Sequence, residues 1–268
     1  MNKLNIFDTH CHLADKEYHK KNQNTQEIIQ QAEKIGVKYI LNVGYDKESN
    51  EKVIEQLKQF PNLYGALGLH PNSNEDLEEE NLQWIEKQLI NKKIVAIGEI
   101  GLDYYRTFTD IAKQKYWFKK QLELAKKYNL PVCLHIRDAF ADAYEIVKET
   151  GNNKGILHCF TGTWEIAQKF INLGFYISFA GNITYKNAKW QERWQEVIEK
   201  IPLERIVIET DAPYLSPEPL RGQINYPRNI IHTLKKIAEI KKKGTEVIGE
   251  KIYFNTLQLF GLSTDLKN

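Results

Sequence analysis

The stretch Leu4-Asn5-Ile6-Phe7-Asp8-Thr9-His10-Cys11-His12-Leu13 decides how the rest of the chain is read. Leu4–Phe7 is a short apolar run of strand type, and it leads into two histidines two residues apart. In an extended strand, side chains i and i+2 leave on one face. Both imidazoles therefore point to one side of the strand end and Cys11 to the other. Two neutral imidazoles converging there are half of a site for zinc or a similar divalent ion. Taken alone, the pair reads equally well as two satisfied polar residues.

Outward from this stretch, the same pattern repeats. Val37–Val43, Leu63–Leu69, Ile94–Ile97, Pro131–Leu134, Gly155–Leu157, Phe175–Phe179 and Arg205–Ile208 are further apolar runs. Amphipathic segments separate them, among them Thr25–Ile35, Glu48–Phe60 and Ile111–Tyr128, the last with Phe118, Leu122 and Ala125 at core spacing. Two more helices, Ile230–Ile240 and Glu246–Phe260, close the chain. Short continuous apolar runs mark strands buried on both faces, as in a parallel sheet covered by helices. Eight such units in about 210 residues, with no Pro/Gly/Ser-rich linker, predict an α/β fold: one (β/α)8 TIM barrel, a single domain over 1–268. An open doubly wound sheet is the competing architecture.

Composition narrows the function classes. The net charge of +2 gives no global field for nucleic acid, so any basic footprint has to be local. Three cysteines, Cys11, Cys133 and Cys159, are too few and scattered for a disulfide scaffold, and the odd count fits a reducing, cytoplasmic setting. The first residues lack the apolar core of a secretory signal. No stretch reaches the roughly 18 apolar residues of a membrane span, and no obligate protein partner is evident.

Barrel active sites lie at the C-terminal ends of the strands. There the chain places His10 and His12, then His70, then Glu99 within Gly98-Glu99-Ile100-Gly101-Leu102-Asp103. His135 and Arg137, His158, and finally Glu209 and Asp211 follow. Five of the seven histidines thus fall at strand ends; only His19 and His232 do not. Six N/O donors crowded into one barrel mouth need counter-charge, and a pair of divalent cations supplies it. This ligand argument favours the barrel. Zinc, magnesium, manganese and nickel all suit such donors.

The motifs Asp8-Thr-His-Cys-His, Gly68-Leu-His-Pro, Gly98-Glu-Ile-Gly-Leu-Asp-Tyr, Leu134-His-Ile-Arg-Asp-Ala, His158-Cys-Phe-Thr-Gly, Glu209-Thr-Asp-Ala-Pro-Tyr-Leu and Pro219-Leu-Arg-Gly together resemble those of the TatD family of metal-dependent deoxyribonucleases. The resemblance runs from about residue 6 to residue 260 and extends to the wider amidohydrolase-like barrels. It implies that His10, His12, Glu99 and Asp211 hold one metal and that Glu99, His135 and His158 hold the other, with Glu99 bridging. Many of the wider group bridge with a carboxylated lysine; Glu99 needs no modification. One departure is visible: where the family often reads Asn-Glu-Pro, this chain has Asn225-Tyr226-Pro227.

The mechanism expected from these residues is attack by a cation-activated water on a phosphodiester. Asp211 would orient that water and accept its proton. Glu209 would support Asp211, or be a buried structural pair. His70 would hydrogen-bond the phosphate or leaving oxygen, or orient a ligand. Arg137 and Arg221 are phosphate-binding candidates, with a salt bridge to Asp138 or Asp103 as the alternative for Arg137. Tyr104, Tyr105, Phe160, Trp164 and Tyr214 could stack bases or pack loops. Lys113, Lys115, Lys119 and Lys120 could track a backbone or form a solvated helix face. The expected partner is DNA, at single-stranded ends. Ester or amide hydrolysis on the same centre, such as aminoacyl-tRNA deacylation, is the alternative, and a binding module with a relic site is a third.

Overall fold

In the computed structural model, residues 4–21, 23–106 and 108–262 are described. The strands are β1 (Ile6–Cys11), β2 (Val37–Val43), β3 (Leu63–Leu67), β4 (Ile94–Asp103), β5 (Val132–Arg137), β6 (Gly155–Leu157), β7 (Tyr176–Phe179) and β8 (Ile206–Ile208). The helices are α1 (Lys16–Lys20), α2 (Thr25–Lys34), α3 (Lys47–Gln59), α4 (Glu79–Gln88), α5 (Ile111–Lys127), α6 (Phe140–Thr150), α7 (Trp164–Asn172), α8 (Ala188–Lys200), α9 (Ile230–Lys241) and α10 (Thr245–Phe260). Neighbouring strands pair in chain order, all parallel, so the sheet is a nearly closed eight-stranded barrel with its helices outside. Among the described residues, no helix is long and apolar enough to cross a membrane.

The ring is completed between β1 and the segment after β8. Cys11 bridges to Ala212; the Asp211 N–H donates to His10 O at 2.9 Å and the His12 N–H to Ala212 O at 2.8 Å. Side chains finish this seam where the strands themselves do not pair. The Asp8 carboxylate accepts from the Thr210 N–H (2.9 Å) and hydroxyl (2.6 Å), and the Thr9 hydroxyl donates to Ile208 O (3.0 Å). Burial pushes Asp8 up to about 8, against the pull of the Thr210 and His10 hydrogen bonds.

β1, β4 and β5 run further than their apolar runs predict, to Cys11, Asp103 and Arg137. The reason is physical: the polar residues there interrupt the hydrophobic pattern but face the barrel mouth, so extended backbone continues through them. Helix starts follow their caps, as at α3, where Asp46 and Ser49 form a reciprocal capping box, and at α5, where Asp110 accepts from the Ala112 and Lys113 N–H groups. The inner face of α5 buries Phe118, Leu122 and Ala125, and truncating a buried phenylalanine such as Phe118 costs about 3–5 kcal/mol.

The core has two layers. The larger lies between barrel and helices. The smaller fills the barrel with Phe7, Leu41, Val43, Ala66, Ala96, Cys133, Ile156 and Val207, and Phe260 of α10 closes against Phe7 at 5.7 Å between ring centres. A polar floor comes next: Thr9 and Ser178 hydroxyls lie 3.3 Å apart, and Ser178 donates to Glu209 at 2.6 Å. Two glycines let β4 close on β5. A Cβ at Gly98 would lie 2.6 Å from the Cys133 Cβ, and one at Gly101 would lie 1.9 Å from His135 O. Glu99 is thereby carried between the histidine strands.

Candidate metal centre

The ends of five other strands, β1, β3, β5, β6 and β8, gather around Glu99 of β4, which is nearly fully buried. Its Oε1 lies 2.9 Å from His135 Nδ1, 3.0 Å from His158 Nε2 and 3.5 Å from His70 Nε2. Its Oε2 lies 3.5 Å from His10 Nε2 and 3.6 Å from His12 Nε2. Asp211 Oδ1 stands 3.4 Å from His12 Nε2 and 3.8 Å from His10 Nε2, and those two nitrogens are 3.1 Å apart. The structure therefore brings His10, His12, Glu99, His135, His158 and Asp211 into one bowl, with one Glu99 oxygen facing each group. Asp211 sits at φ +55°, a left-handed conformation uncommon outside glycine, and that turn aims its carboxylate back toward β1.

The outward nitrogens tell what the inward ones offer. His12 Nδ1 is 2.8 Å from Val43 O, so it carries the proton and Nε2 presents a lone pair. His135 Nε2 is 3.2 Å from Asp103 Oδ2, which leaves the Nδ1 lone pair toward Glu99. His158 Nδ1 is 3.2 Å from Glu209 Oε1, which leaves its Nε2 toward Glu99. Three lone pairs and two carboxylates thus converge with no donor among them, an arrangement that divalent cations resolve, while His70 donates from the side. His70 is the opposite case. Its Nδ1 accepts from the Asn72 N–H at 3.0 Å, so Nε2 keeps its proton and donates into the bowl.

Without such cations, protons take their place. Burial lowers His12, but the Asp211 and Glu99 carboxylates reverse that and hold it at about 9. Burial likewise opposes, and Glu99 and Glu209 override, a pKa for His158 well above the ordinary range. Burial and the neighbouring imidazoles push His10 down to about 4 and His70 to about 3. Burial would raise Glu99, yet His158 and His70 pull it well below the usual carboxylate range.

The other expected site residues fall into two groups. Arg137 and Arg221 stand on tyrosine faces, Arg137 at 3.8 Å from the centre of Tyr105 and Arg221 at 4.4 Å from that of Tyr185. Tyr105 is largely exposed, and Tyr214, half exposed, lies edge-on to His12 at 6.2 Å between ring centres. Glu209 is fully buried, and its oxygens are taken by His158, the Cys159 N–H (2.6 Å) and Ser178. It supports a histidine rather than Asp211. Phe160 is buried against Phe140, and Tyr104 is half-buried, packed against the core with its OH donating to Asp142. The four α5 lysines are committed elsewhere: Lys113 to Asn74, Lys115 to Asp142, Lys119 to Glu149 and Lys120 to Glu79. They form a solvated, paired face. At the departure from the family pattern, Tyr226 packs on Tyr18 and its OH donates to Gln23, while Asn225 stays buried, donating to Thr210 O and Tyr214 O.

Asp103 and Asp15 were not singled out by strand-end counting as groups with a role here. Asp103 carries the outer nitrogen of His135. Asp15 Oδ2 accepts from Tyr45 OH (3.1 Å) and Tyr214 OH (2.8 Å), the two rings that wall His12. The signal for Asp103 was its place in the Gly98–Asp103 run; nothing local marks Asp15.

Residues 7–261 match the TatD related DNase family. The chain is 39% identical over 260 residues to YabD of Bacillus subtilis, an uncharacterized metal-dependent hydrolase, covering 96% of this chain and all of that protein. It is 33% identical over 258 residues to YcfH of Escherichia coli, also an uncharacterized metal-dependent hydrolase, covering 95% of each. The crystal structure of YjjV, a TatD homologue from Escherichia coli, superposes with a TM-score of 0.88 at 30% identity, covering 96% of this chain and 98% of that one. With its histidines and carboxylates gathered at the mouth of this barrel, the chain belongs to the TatD family and is a metal-dependent hydrolase.

Proposed function

We propose that this chain is a deoxyribonuclease that hydrolyses phosphodiester bonds at the single-stranded ends of DNA, in the cytoplasm. The observation that carries the reading is the pairing of one donor bowl with two arginines held on tyrosine faces beside it. A guanidinium so held keeps its planar fork free for phosphate, and its tyrosine offers a ring face to a base.

In this reading His10, His12, Glu99 and Asp211 hold one divalent cation and Glu99, His135 and His158 a second. Zinc, magnesium, manganese and nickel all suit this mixed imidazole and carboxylate set. Bound there, the cations supply Lewis acidity and bring the pKa of water toward neutrality. Asp211 takes the proton of the attacking water. His70, neutral and donating through Nε2, hydrogen-bonds a phosphate oxygen. Arg137 and Arg221 grip the strand on either side, and Glu209 keeps His158 in its working tautomer.

The test uses protein loaded with manganese or zinc, with single-stranded DNA, duplex DNA and an aminoacyl-tRNA as parallel substrates, with and without chelator. Chelator-sensitive release of nucleotides from single strands is expected. Ester turnover with DNA untouched would overturn the reading in favour of an ester hydrolase.

A further inference from the structure

Asp103, at the end of β4, is 1% exposed, and each of its oxygens accepts twice. Oδ2 accepts from His135 Nε2 (3.2 Å) and Asn72 Nδ2 (2.8 Å); Oδ1 accepts from the N–H groups of Tyr105 (3.0 Å) and Arg106 (2.8 Å). Its backbone is fixed as well. The Asp103 N–H donates to Gln114 Oε1 at 2.9 Å, and Gln114 Nε2 donates to Asp103 O at 3.0 Å. The carboxylate therefore cannot turn, and both of its faces lead to functional groups. One face holds His135. Through Asn72 the same oxygen is linked to His70, whose Nδ1 accepts from the Asn72 N–H. The other face fixes the turn that presents Tyr105, and Tyr105 is the platform under Arg137, the β5 residue paired with Asp103 across the sheet.

From this geometry we infer that Asp103 is a positioning residue: it holds His135 in the tautomer that presents Nδ1 to the centre, and it ties that ligand to the Tyr105–Arg137 edge of the mouth. The inference rests on the proposal that His135 is a metal ligand. Glu209 does the matching work for His158, and its remaining contacts are the Cys159 N–H and the Ser178 hydroxyl. Asp103 joins His135 to the Tyr105–Arg137 edge, so its loss is expected to weaken cation binding at His135 and substrate binding at Arg137 together.

The experiment compares the full-length protein with Asp103→Asn and Tyr105→Ala. In Asp103→Asn the amide oxygen still accepts from the Tyr105 and Arg106 N–H groups, while its NH2 meets His135 Nε2 and demands an acceptor there. Zinc titration against a competing chelator is expected to show the weaker of two sites falling about 10–100-fold in affinity, the other unchanged. Nitrogen-15 NMR of histidine-labelled, zinc-loaded wild type is expected to show His135 protonated at Nε2, and the variant to lose that signature. KM for a single-stranded oligonucleotide should rise in Tyr105→Ala and stay near wild type in Asp103→Asn, whose amide oxygen keeps the turn under Tyr105, whereas zinc affinity should fall only in Asp103→Asn.

A variant with both zinc sites at wild-type affinity and His135 still protonated at Nε2 overturns the inference. So does a zinc-loaded wild type whose His135 is protonated at Nδ1, a measurement that needs no variant to fold. A His135 resonance in the wild type that ignores zinc altogether overturns instead the assignment of His135 as a ligand.

Discussion

The His10–His12 half of the centre and the His135–His158 half are held by different means. His10 and His12 share one strand; the pleat of β1 sets their spacing, a main-chain carbonyl holds His12 Nδ1, and His10 is stacked on His158 at 4.0 Å between ring centres. His135 and His158 come from separate strands, and each has its outer nitrogen on a buried carboxylate, Asp103 or Glu209. Two histidines on one strand inherit their geometry from the backbone. Two histidines on different strands need side chains to orient them, and those side chains can be removed.

Glu99 belongs to both halves, so its loss erases the contrast altogether. Glu99→Ala is expected to reduce hydrolysis by about 10³-fold or more, the several kcal/mol that Lewis-acid stabilisation contributes. Metal analysis should show less than one ion bound. Full activity with metal present would end the bridging assignment.

Chelation and pH probe the halves through proton linkage. His12 is held at about 9 when folded, against 6.5 when free. Its contribution to stability is full below pH 6.5 and is lost as pH rises through about 9. Chelator-treated protein should therefore lose Tm across that window. Cation at about 100 times Kd adds about 2.7 kcal/mol, a rise of about 5–10 °C for a chain of this size. A Tm independent of both chelator and pH would contradict the site as described.

Glu209→Gln discriminates the halves directly. It should cost about 10–100-fold in the affinity of the His158 site and leave the His10–His12 site intact; equal loss at both would show that the halves are not separately supported. Arg137→Ala should raise KM about tenfold, the scale of a charged hydrogen bond, with unchanged metal content. Tyr214→Phe removes one hydrogen bond to Asp15 and should change kcat/KM by only about 3-fold. A larger fall there would mean that the His12 half relies on its side-chain wall more than on its strand.

The same contrast explains what could be read from the sequence. His-x-His is a period-two signal that the strand itself writes, and Glu99, His135 and His158 stood at the ends of apolar runs. The barrel followed from those runs, with β2 and β6 matched to the residue. The extra length of β1, β4 and β5 is hidden in sequence because polar strand-end residues break the hydrophobic pattern. Sequence spacing offers Asp103 only as an ion-pair partner for Arg137, whereas Arg137 lies on Tyr105 and Asp103 accepts from His135. Asp15 is invisible in sequence, because its tyrosine partners come from positions 45 and 214. Contacts of that kind exist only after the ring of strands has formed.

The seam between β1 and the residues after β8 has a temporal consequence. His10 is made some two hundred residues before Asp211, yet the main chain of one hydrogen-bonds the other. During synthesis, a chain released short of that point holds both β1 histidines with no clasp to set against them. Tight cation uptake at this position would then report that translation has passed residue 211, and the ion would act as the last rivet in assembly rather than as its seed.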